Sequence, residues 1–470
     1  MNTVGHANDR LYRAVRIYVP LAIDLIVQRA TVQVDVLDIT EEHIFFASLD
    51  ADDNLLELPE YRACVDAILA DNKINSQLNT LVGDNSWRER SLTLPWLMRR
   101  LPQMGLARGR YAFDKDYFER EYEIFETTFY DDYITYDVIA PLQNILVTGT
   151  VKLGEDLEIS LLTDDDLDPR RTSSSKVIQH EPGLEGSRCA VRSKFRVRKL
   201  IGEQPSVTIE EAEKDRERLT QTAEQIDEVI NAIRLFGAET VYYTSIIYRT
   251  SEWLFSDEKV LPTRMRAPVP LIYQNNQLWL QAFGQFWRKF RKSISERKFI
   301  AVATRRFGYA IERPFTEDRL VDFMIAAESL FLNDIEDKKY QGELQYRLSM
   351  RCACLLGSDL SSRSAVRAYM QQAYNIRSLV VHGSMKTIKP RDENRNPIPL
   401  EQFLGTIQMY MHRALRLMID QAASVRPKEP LFDWERVMLG GENLIISDKT
   451  TSADAPRDNA NSPVSTDVAR

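Results

Sequence analysis

The sequence predicts an α+β protein in two parts: a mixed, β-rich N-terminal domain over residues 1–265 and an all-α helical bundle over 271–425. Three observations predict it. Short segments that alternate apolar and polar residues cluster before residue 250. From about residue 275 onward, apolar residues recur at spacings of three and four. Between the two, LPTRMRAPVP packs Pro262, Pro268 and Pro270 into a stiff connector.

With 470 residues, the chain exceeds what one hydrophobic core usually organises. Hydrophobic residues at 44% and charged residues at 28% are ordinary for a globular protein and exclude a disordered one. No stretch approaches the ~18 consecutive apolar residues of a membrane span, and MNTVGHANDR has no apolar signal core. A cytoplasmic protein without membrane contact is expected. The four cysteines (Cys64, Cys189, Cys352, Cys354) lack metal-ligand spacing, so neither a metal nor a cofactor is expected. Residues 271–445 hold 26 Lys+Arg against 19 Asp+Glu, while residues 1–270 hold 32 against 46. A polyanion would therefore find the C-terminal half.

In order along the chain, TVQVDV (Val32, Val34, Val36), ITYDV (Ile134, Tyr136, Val138) and LEISLL at 157–162 alternate as strands. DDDLD at 164–168 lacks the framing of a Mg²⁺ site and reads as a solvated loop. In CAVRSKFRVRKL, Val191, Phe195 and Val197 face one way, and Arg192, Lys194, Arg196 and Arg198 the other. Those cations are either a phosphate-tracking strip or an exposed face guarding a strand edge. Thr208 and Glu211 form a capping box for a helix whose stripe is Leu219, Ile226, Ile230 and Ile233, ending at Gly237. VYYTSIIY at 241–248 follows as a strand.

Six helices are expected beyond the connector, at about 275–295, 298–312, 317–332, 343–356, 363–382 and 400–423. In the first, Leu280, Phe283, Trp287, Phe290 and Ile294 alternate with Arg288, Lys289, Arg291 and Lys292. Helical spacing makes the aromatics core, although such interleaving also suits nucleic-acid stacking. Thr316 is expected to cap the third, with Glu317 and Asp318 in its first turn. From about 446 to 470 the chain has little to bury, and a disordered tail is expected.

Chemistry concentrates in YNIRSLVVHGS, Tyr374–Ser384. On an unbroken helix Arg377 and His382 diverge by roughly 140°. They converge only if the helix ends at His382 and the backbone turns, which Gly383 would permit. An arginine with a titratable histidine is what metal-free phosphodiester cleavage needs: one group moves a proton and the other meets the charge on phosphoryl oxygens. Spacing alone favours a structural role, with Arg377 a buried salt-bridge partner and His382 a helix C-cap. Glu328, on the apolar side of the third helix, needs a nearby cation, with Arg347 or Arg351 favoured and Arg377 a third choice. His412 reads as a packed helix residue, not a second catalytic histidine.

The string from FGYAIERPFTEDRLVDFMIAAESLFLND, through ELQYRLSMRCACLLG, to YNIRSLVVHGS resembles the Apea-like branch of the HEPN superfamily. The resemblance covers about 305–385 well and 271–425 more broadly. It implies a HEPN helical bundle that dimerises through the motif helices, with Arg377 and His382 catalytic. Ser378, Tyr374, Asn375 and Glu328 would support them, and Lys386, Lys389 and Arg391 would contact RNA. Ser378 stands where many active members carry Asn, Asp or His. What the resemblance implies for function is a metal-independent endoribonuclease, a toxin or phage-defence effector, with a phage or host trigger acting on the N-terminal domain. Inactive members bind RNA or nucleotide and scaffold complexes, which is the alternative.

Overall fold

The computed structural model describes residues 6–33, 55–84, 88–106, 112–163, 166, 189–201, 209–243, 245–250, 258–262, 273–334, 343–383, 389–427 and 429–439. The chain opens with helix α1 (Asp9–Gln33), followed by α2 (Pro59–Leu69), the short α3 (Asn72–Asn75) and the hairpin β1 (Leu81–Asp84) and β2 (Arg88–Ser91). Next come α4 (Leu94–Arg100) and α5 (Lys115–Tyr130). The N-terminal part is thus richer in helix than its alternating segments suggest. Thr31–Gln33 close α1 and are not a strand, while Val34 and Val36 lie outside the described residues. In α5, Phe118, Tyr122, Phe125 and Phe129 recur every three or four positions and are buried, so tertiary burial overrides their strand propensity. Asp114 caps this helix by accepting from Tyr117 N at 3.0 Å.

The main sheet centres on β3 (Tyr133–Gln143), which pairs antiparallel with β7 (Cys189–Arg198) and β10 (Ser245–Thr250). Outward from β7 lie β6 (Leu157–Leu161) and β5 (Val151–Lys152), and beyond β10 lies β11 (Glu258–Pro262). Each expected strand from ITYDV onward falls on one of these or on the short β9 (Tyr242–Tyr243). β8 (Leu200–Ile201) joins the first hairpin. Three of the four cations of β7 meet a neighbouring carboxylate: Lys194 meets Asp137 at 3.5 Å, Arg196 meets Asp131 and Arg192 meets Asp166. Asp166 corrects the solvated-loop reading of DDDLD. It is 3% exposed and also holds Arg249 at 3.2 Å, because two guanidiniums converging on the sheet face require a buried counter-charge.

Helix α6 (Ile209–Phe236) packs against β7 and stops at Gly237, whose φ of 128° only glycine adopts freely. The capping residue Thr208 lies outside the described residues. Past the prolines, β12 (Tyr273–Asn275) returns to pair in parallel with β4 (Ile145–Val147). Then come α7 (Gln277–Glu296), α8 (Lys298–Glu312), α9 (Thr316–Phe331), α10 (Leu344–Leu356), α11 (Leu360–Val381), α12 (Leu400–Ser424) and the short α13 (Trp434–Met438). The aromatics of α7 are core: Phe283, Phe286, Trp287 and Phe290 are buried. Trp287 Nε1 donates to the Leu153 carbonyl at 2.8 Å, tying the bundle to the β5–β6 hairpin. Buried residues from Leu11 to Trp434 form one contiguous cluster. Thr316 proves to be the first helical residue of α9, not its cap; Phe315 occupies that position, with no side-chain bond. Among the described residues, no helix is long and apolar enough to cross a membrane. The tail from 446 lies outside the described residues.

Candidate functional site

The site is built on α11, with α9 and α10 packed beside it. Asp359 starts α11 with a full capping box, accepting from Ser362 N at 2.9 Å while Asp359 N donates to Ser362 Oγ at 3.1 Å. Val366, Met370, Ala373 and Ile376 are buried, which turns Arg377 toward α9 and half-buries it. At the other end the helix stops where the glycine allows it. His382 is the C-cap, its N–H donating to the Ser378 carbonyl at 3.1 Å, and Gly383 takes the left-handed φ of 65°.

Arg377 Nη2 lies 3.6 Å from Glu328 Oε2. Arg347 is instead engaged by Glu343 four residues earlier, and Arg351 by Asp334, so neither favoured arginine serves Glu328. Burial raises the Glu328 carboxyl above the ordinary carboxylate range, and Arg377 only partly opposes it. Tyr374, one turn before Arg377, is raised by burial and by Glu328. Arg377 Nε, on the same edge of the guanidinium as Nη2, is buried and has no hydrogen-bond partner among the described residues.

The structure brings Glu328, Tyr374 and Arg377 together and leaves the other expected residues apart. His382 is exposed at the helix end, and among the described residues no hydrogen bond or ion pair joins it to Arg377. Ser378 is half-buried beside Arg377. Asn375 belongs to the opposite side, accepting from Gln345 Nε2 of α10 at 2.9 Å. Arg391 is pinned to α11 through its backbone N–H, which donates to Gln372 Oε1 at 2.9 Å, and Lys389 is exposed. Lys386 lies outside the described residues. His412 is half-buried against Phe307, and burial lowers its pKa. Gln345 went unnoticed in the sequence, because nothing in its spacing distinguishes it from a surface glutamine. Set against family models, curated proteins and solved structures, the chain matches none of the three.

The Arg377–Glu328 pair has a testable signature. Because the folded carboxyl sits above its unfolded value of about 4.3, its charge is unfavourable to folding. That penalty is absent below the unfolded value and grows as pH rises toward and through the folded one. At pH 8 Arg377→Ala should cost about 1 kcal/mol, since it strips Glu328 of its partner. The cost should shrink at pH 4 and in a Glu328→Gln background. Thermal melts at both pH values check this; equal costs in both backgrounds would rule out the coupling.

Proposed function

We propose that the chain is a metal-independent endoribonuclease of the HEPN type, a toxin or phage-defence effector that acts in the cytoplasm and cuts RNA. The observation that carries the reading is the state of Arg377. Its half-buried guanidinium faces Glu328 through Nη2 at 3.6 Å and takes no hydrogen bond through Nη1 among the described residues, five residues from an exposed histidine at a helix end. A phosphoryl oxygen is the acceptor that such a donor suits. In the reaction, the ribose 2′-oxygen attacks phosphorus and the bond to the 5′-oxygen breaks. His382 moves the proton from the former to the latter, while Arg377 meets the charge that builds on the phosphoryl oxygens. The ends left behind are a 2′,3′-cyclic phosphate and a 5′-hydroxyl.

Since Arg377 and His382 point apart on one helix, a second copy would complete the cleft. Leu379 and Val381, between Arg377 and His382, are 37% and 54% exposed and supply apolar surface for that contact. The test is RNA cleavage in EDTA by the full chain, with its mass read by light scattering at micromolar concentration. Cleavage by a dimer is expected. A monomer that still cuts RNA would sink the two-copy site. A second reading, a module that binds RNA or nucleotide without cutting, is favoured by the lack of any Arg377–His382 contact within one chain.

A further inference from the structure

A second cationic site lies well away from α11. A cleft of about 900 Å³ opens where the β5–β6 hairpin, β7, α6 and α7 meet. Lys194 and Arg196 enter it from β7, Arg218 from α6, and Arg288 and Arg291 from α7. Two exposed carboxylates, Glu155 and Asp156, face it from the tip of the hairpin. We propose that this cleft binds a small molecule carrying a chain of two or more phosphates.

The pattern of engaged and unengaged donors supports this. Four of the cations touch a carboxylate outside the lining: Lys194 touches Asp137, Arg196 touches Asp131, Arg218 touches Asp215 at 3.3 Å, and Arg291 touches Glu228. These contacts hold the side chains in place without filling them. Arg218 and Arg291 both pair through Nη1, and no bond engages Nη2 of either among the described residues. The Arg291 guanidinium also lies over the buried Trp287 ring at 5.7 Å, which fixes its plane. Arg288 is exposed and has no ion pair among the described residues. Planar guanidiniums with a free edge match phosphate oxygens.

Size and polarity narrow the ligand. The volume falls within the range of small-molecule sites, so a ligand of nucleotide size fits. Glu155 and Asp156 would repel phosphate at the hairpin end, so the phosphates belong on the α6–α7 side. The hairpin end suits hydroxyl or amine groups, with Gln221 and Gln225 as neutral partners along α6. Because the cleft joins the sheet to the first helix of the bundle, an occupant would bind both parts together.

The experiment is calorimetric titration of the full chain, without RNA, using ATP and inorganic tripolyphosphate as probes. Both are expected to bind and to raise the melting temperature. Arg288→Glu should weaken both by about tenfold or more, equivalent to ~1.4 kcal/mol, with the unliganded melting temperature unchanged. Equal binding of the two probes would mean that the phosphate chain alone is read. ATP binding about tenfold tighter would mean that the nucleoside is read too. Failure of both probes to bind, or binding untouched in Arg288→Glu and in Arg288→Glu/Lys194→Glu, overturns the proposal. The readout is binding, so neither result depends on RNA cleavage.

Discussion

Alanine at Arg377 or at His382 is expected to lower RNA cleavage by about a hundredfold or more, the scale of a lost acid–base or charge-stabilising group. The fold should survive both changes. His382 is exposed at the end of α11, and the ion pair that Arg377 loses among the described residues is the one with Glu328. Arg377→Lys should fail as well, because a point charge cannot present the planar fork. Substrate lacking the 2′-hydroxyl should resist cutting, since that oxygen is the nucleophile. The measurement is single-turnover cleavage with end-group analysis of the products. Pure wild-type protein inert on every RNA, with both alanine variants binding RNA normally, would replace the nuclease by the binding module.

The largest effect on stability is expected at Asp166. Asp166→Ala leaves Arg192 and Arg249, 20% and 12% exposed, without their shared counter-charge. Removing one member of a buried charge cluster costs about 3–5 kcal/mol. The pH dependence follows from the carboxyl. Burial would raise it, but the Arg192 hydrogen bond and charge outweigh that and hold it below the ordinary aspartate value. A depressed folded pKa means that the stabilisation is present above the unfolded value of about 3.9 and is lost as pH falls through the folded one. The gap between wild type and Asp166→Asn in urea melts should therefore be widest near neutrality and close in acid. A constant gap from pH 7 to pH 3 would show that the loss is one of packing and not of charge.

The six bundle helices were legible because each carries its own stripe and three of them their own stop. Pro314 follows α8, Gly357 follows α10 and Gly383 follows α11, so local chemistry marks the ends. The N-terminal helices were not. α1 holds Pro20 in its interior, and α5 is written in aromatic residues that favour strands until a core covers them. At the site, Arg377 could be singled out from its motif, but not its partner. Choosing between three arginines for Glu328 needed the fold, although Glu343 four residues before Arg347 was a local hint that this one was already engaged. Asp166 was misread because four aspartates in five residues look solvated until the sheet brings Arg192 and Arg249 onto one of them.

The parallel pairing of β12 with β4 sets a timetable for synthesis. Ile145 and Val147 are buried in the finished protein, yet their partners Tyr273 and Asn275 are translated more than a hundred residues later. At roughly 5–20 residues per second, the nascent chain waits some seconds with that edge open and with the Leu153 carbonyl lacking Trp287. An open edge recruits strands from other chains. Polypeptides released early, before about residue 275, should accumulate as aggregates, while completed ones close the edge for themselves.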